Sequence, residues 1–72
     1  MEESEKDEGA LRLQKKLEHW VVHNREHAKS FRKAAREADA LGLAAVSTRL
    51  NEAAKRMEEL AEILAAAEEE FR

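Results

Sequence analysis

The chain contains no cysteine and no proline, and only two glycines. Without cysteine there is no disulfide and no thiolate metal ligand. Without proline nothing breaks a helix from within. Aromatic side chains are scarce: Trp20, Phe31 and Phe71, with no tyrosine. A core must therefore be aliphatic. No apolar run approaches the 18 or so residues needed to span a bilayer, so no membrane partner is expected. The first eight residues, Met1-Glu2-Glu3-Ser4-Glu5-Lys6-Asp7-Glu8, carry no apolar signal region. A cytoplasmic protein is the expectation. Charge of one sign is also missing. Thirteen Lys and Arg against sixteen Asp and Glu leave a net −3, which draws neither nucleic acid nor anionic lipid over distance.

What is present is alanine, leucine, glutamate, lysine and arginine, the composition of long helices. Residues 1–8 are charged and aperiodic and read as a disordered acidic tail, with Asp7 able to cap the helix that follows. From Ala10 a heptad runs unbroken through Leu13, Leu17, Trp20, Asn24, His27, Phe31, Ala34, Ala38 and Leu41. Gly42 is the natural stop, because it takes positive φ freely, and Leu43 fills the apolar place of a Schellman motif. A second heptad follows: Leu43, Val46, Leu50, Ala53, Met57, Leu60, Leu64, Ala67 and Phe71. The expected fold is all-α, an antiparallel hairpin over 9–72, with helices over 9–41 and 44–71. A register symmetric about Gly42 sets large residues against small and places Met57 opposite His27.

The heptad e positions, Val21, Ala28, Ala35, Ala54 and Ala61, are apolar as well. A two-helix hairpin leaves one side of its seam open. This flank is therefore expected to close a homodimer, giving a four-helix bundle.

All three histidines, the tryptophan and one of the two asparagines lie within residues 17–27. His19, His23 and His27 follow an i, i+4, i+8 series, one slanted stripe on a helix. Neutral imidazoles four apart can hold one Zn, Ni, Co or Cu ion. The outer two lie about 12 Å apart along the axis, so one ion cannot take all three. The pairs 19/23 and 23/27 are the units, with Glu26 the nearby carboxylate and Met57 a soft ligand from the facing helix. The competing reading is structural: a buried His27 and Asn24 layer fixing the register of a protein-interaction or dimerisation module.

Sharper chemistries are absent. The H-E-x-x-H hydrolase pattern fails because Trp20 follows His19. The E-x-x-H pattern of di-iron bundles fails because Lys16, Trp20 and Asn24 precede the histidines by three. No nucleophile–base–orienter set is visible, and no enzyme is expected. Arg25, Lys29, Arg32, Lys33 and Arg36 make a basic stripe able to touch phosphate, yet interleaved acids and the lack of an exposed aromatic argue against a nucleic-acid partner.

The pattern His19-Trp20-x-x-His23-Asn24-x-x-His27, then Phe31 and Ala35, then Leu41-Gly42-Leu43-x-x-Val46, resembles a small prokaryotic helical-hairpin domain of unknown function. That domain is associated with stand-alone small proteins and with extensions of metal-handling proteins such as cobalt chelatases. The resemblance covers residues 11 to about 65. It implies handling of nickel, cobalt or a neighbouring metal, with His19, His23 and His27 as ligands. The basic Arg25–Arg36 stretch departs from the more acidic surface of such domains.

Overall fold

The computed structural model describes residues 2–71, with side chains from Asp7 onward. Two helices make up the described residues: α1 over Glu2–Ala40 and α2 over Ala44–Glu69. They pack side by side as an antiparallel hairpin, a rod of 61 × 14 × 12 Å. Dense Ala, Leu, Glu, Lys and Arg favour helix at nearly every position.

α1 starts at Glu2 rather than near residue 9. The acidic stretch expected to be a tail is helical over 2–8, and Asp7 lies within the helix instead of capping it. The physical reason is that glutamates are good helix formers and stabilise a helix N-terminus through the macrodipole. Gly9 is carried along in the helix.

The turn is as the sequence dictates. Gly42 has φ +76°. The Leu43 amide donates to the Ala38 carbonyl at 2.8 Å, and the Gly42 amide to the Asp39 carbonyl at 3.0 Å. These are the two bonds of a Schellman motif, which satisfy carbonyls left over at the end of α1. α2 starts at once, the Ser47 amide donating to the Leu43 carbonyl at 3.0 Å.

The seam differs from expectation. The buried residues are Leu17, Val21, Ala28, Ala35 and Ala38 on α1, and Ser47, Ala54 and Ala61 on α2. The e positions reserved for a dimer interface are thus inside the hairpin itself: Ala28 is 1% exposed and Ala54 0%. Asn24, Phe31, Leu50, Met57 and Leu64, on the a line, are half-buried beside them. The d line turns outward, with Leu13, Trp20, His27, Leu41, Val46 and Leu60 all exposed. Position e lies about 40° from a, on the side away from d, so choosing a/e over a/d rotates each helix about its axis. Alanine and serine at e allow the two backbones to come close, and closer packing gains dispersion contacts along the whole seam.

The Arg32 guanidinium donates to the Glu58 carboxylate through Nε at 3.3 Å and Nη2 at 2.5 Å, tying α1 to α2.

α1 is also much longer than α2, 39 residues against 26. The excess, about 20 Å of helix, lies at the N-terminal end, away from the turn.

Candidate metal centre

The chemistry-bearing stretch sits in the middle of α1, where α2 runs alongside. His19, His23 and His27 step around the surface at i, i+4, i+8 and are all exposed. The His19 and His23 rings stack with centroids 4.8 Å apart and planes at 28°. The His23 and His27 rings meet edge to face at 5.2 Å and 77°. His27 and Phe31 stack at 6.0 Å and 24°. Four rings therefore form one continuous ladder. Phe31 as its last rung was missed in the sequence, although the same four-residue step, 19, 23, 27, 31, points to it.

Two imidazoles bound to one tetrahedral ion at about 2.1 Å hold their ring centroids roughly 5 Å apart. Both histidine pairs already stand at that separation. Their exposure leaves each ring free to turn about its side-chain torsions and aim a nitrogen outward.

The other expected ligands are not brought in. Among the described residues, no group of three or more His, Cys, Asp or Glu side chains is gathered for a metal ion. The Glu26 carboxylate is paired with the Lys29 ammonium at 3.4 Å. Both are well exposed, so that pair contributes little and is readily given up. Met57 is half-buried on α2, whereas His27 is exposed on α1. The expected histidine–asparagine layer is not buried within the single hairpin. His27 faces solvent on the d line, and Asn24 is half-buried without His27 beside it in the core.

Two of the five side chains of the basic stripe are paired. Arg32 is held by Glu58, and Lys29 by Glu26. Arg25 and Lys29 share a shallow groove with Glu58 and Glu62, so the flank alternates in sign rather than presenting a phosphate track. The Arg32 hydrogen bond is the main cause that pulls the Glu58 carboxyl below its usual range. The same bond pushes the guanidinium higher still.

Residues 13–71 match the family described as a domain of unknown function, DUF8180. The chain belongs to that family. The match covers most of both helices and the turn, so the whole ladder lies inside the DUF8180 domain. No curated protein and no solved structure matches the chain. No helix among the described residues of this DUF8180 domain is long and apolar enough to cross a membrane.

Proposed function

We propose that this DUF8180 domain binds a divalent transition metal, Ni, Co, Zn or Cu, through adjacent histidine pairs of α1, and that it does so as a homodimer. The observation that carries the reading is the ladder: two i, i+4 imidazole pairs, exposed, with centroids at 4.8 and 5.2 Å. His23 belongs to both pairs and is the central ligand. His19 and His27 are alternative second ligands. Glu26 is a reserve carboxylate once released by Lys29, and Met57 is the least favoured of the expected set. Two ligands from one chain leave an ion unfinished, and water or a second copy supplies the rest. The resemblance to domains attached to metal-handling proteins supports the same reading.

Calorimetric titration of the tag-free chain with each ion tests it. His23→Ala is expected to remove most of the affinity, because it breaks both pairs. His19→Ala or His27→Ala alone leaves one pair and only part of the loss. Acidification displaces the ion, because only neutral imidazole ligates. If no ion binds more tightly than about 100 μM, the proposal fails.

A further inference from the structure

One long side of the hairpin is apolar and open. With the seam formed by a and e positions, the d residues of both helices line the same flank. Leu13, Trp20, Leu41, Val46 and Leu60 all point outward there, Trp20 and Leu60 each 44% exposed and Leu41 73%. The opposite flank carries the Arg32–Glu58 bridge and is polar.

The surface is larger than a chain of this mass normally exposes. A compact 8.2 kDa protein exposes about 4500 Å², whereas this one exposes 5778 Å². The excess exceeds the roughly 800 Å² per partner that a stable interface buries.

We infer that this d flank is closed by a second copy of the chain, running antiparallel, with the two-fold axis crossing the face near His27 and Leu60. The charges bordering the flank favour that occupant. α1 carries Lys16 toward its free end and Glu37 toward the turn, while α2 carries Arg49 toward the turn and Glu70 toward its free end. An antiparallel copy sets Lys16 against the partner's Glu37 and Arg49 against the partner's Glu70. It also places Trp20 over the partner's Ala34, large against small, and covers Leu13 on the extension with the partner's Leu41. This dimer shares the second copy with the metal proposal but needs no metal.

The test is sedimentation equilibrium at micromolar concentrations with EDTA present. The expected mass is twice 8.2 kDa. Trp20→Glu with Leu60→Glu is expected to give a monomer of unchanged helical content, because both side chains face outward in the single hairpin. Leu60→Cys, in a chain with no other cysteine, is expected to cross-link to its own copy on mild oxidation, while Lys55→Cys on the other side does not. A wild-type mass of 8.2 kDa overturns the inference, as does a dimer that survives the double glutamate variant. A dimer in which Leu60→Cys links no better than Lys55→Cys overturns the antiparallel arrangement. His23→Ala is expected to leave the dimer intact in EDTA, so loss of metal binding and loss of association are read separately.

Discussion

At the scale of single residues, alanine decides what leucine does not. The large apolar residues follow an a/d pattern, and reading the seam from them gives the wrong side. The helices close instead on Ala28, Ala35, Ala54 and Ala61. Periodicity made the apolar arc legible but not its centre, because the gain from close backbone approach at small residues is not a property of any one side chain. Ala28→Glu is therefore expected to unfold the hairpin rather than split a dimer, burying an unpaired charge at a loss of at least about 2–3 kcal/mol. Ala54→Leu overfills the same seam at a loss of about 1–3 kcal/mol. Urea denaturation followed by helical circular dichroism measures both. The histidine stripe was fully legible, since a four-residue step on a helix fixes ring proximity directly.

At the scale of elements, the turn was legible to the individual hydrogen bond. Gly42 with Leu43 encodes a Schellman stop, and both bonds form. A Cβ at Gly42 would meet nothing within 4 Å. The loss in Gly42→Ala is then purely that of positive φ, about 1–2 kcal/mol, read as a lower urea midpoint with unchanged slope. The start of α1 was not legible, because a charged aperiodic stretch gives no sign whether its neighbour will carry it as helix. The bridge between the helices gives a pH dependence. The folded state holds the Glu58 carboxyl below its ordinary range. Its contribution is present above the ordinary carboxylate range and disappears as pH falls through the lowered value. Melting curves of the wild type and Glu58→Gln are expected to differ at neutral pH and converge in acid.

At the scale of the whole molecule, the apolar d flank ties stability to association. Folding coupled to a second copy makes the melting temperature rise with protein concentration. The Trp20→Glu, Leu60→Glu double variant is expected to lose that dependence, and melting at two concentrations tenfold apart checks it. The shape itself carries a further consequence. The radius of gyration is 17.2 Å, against about 11 Å for a globule of 72 residues. Such a rod drags through a gel matrix as a larger body, so early elution says nothing about copy number. Its tumbling is anisotropic too. Helical amide bonds lie along the helix axis, and both helices lie along the rod, so nearly every amide senses only the slow end-over-end rotation. Nitrogen-15 relaxation ratios should then be high and nearly uniform along both helices, and should fall only where the backbone leaves the rod axis, at Leu41–Leu43.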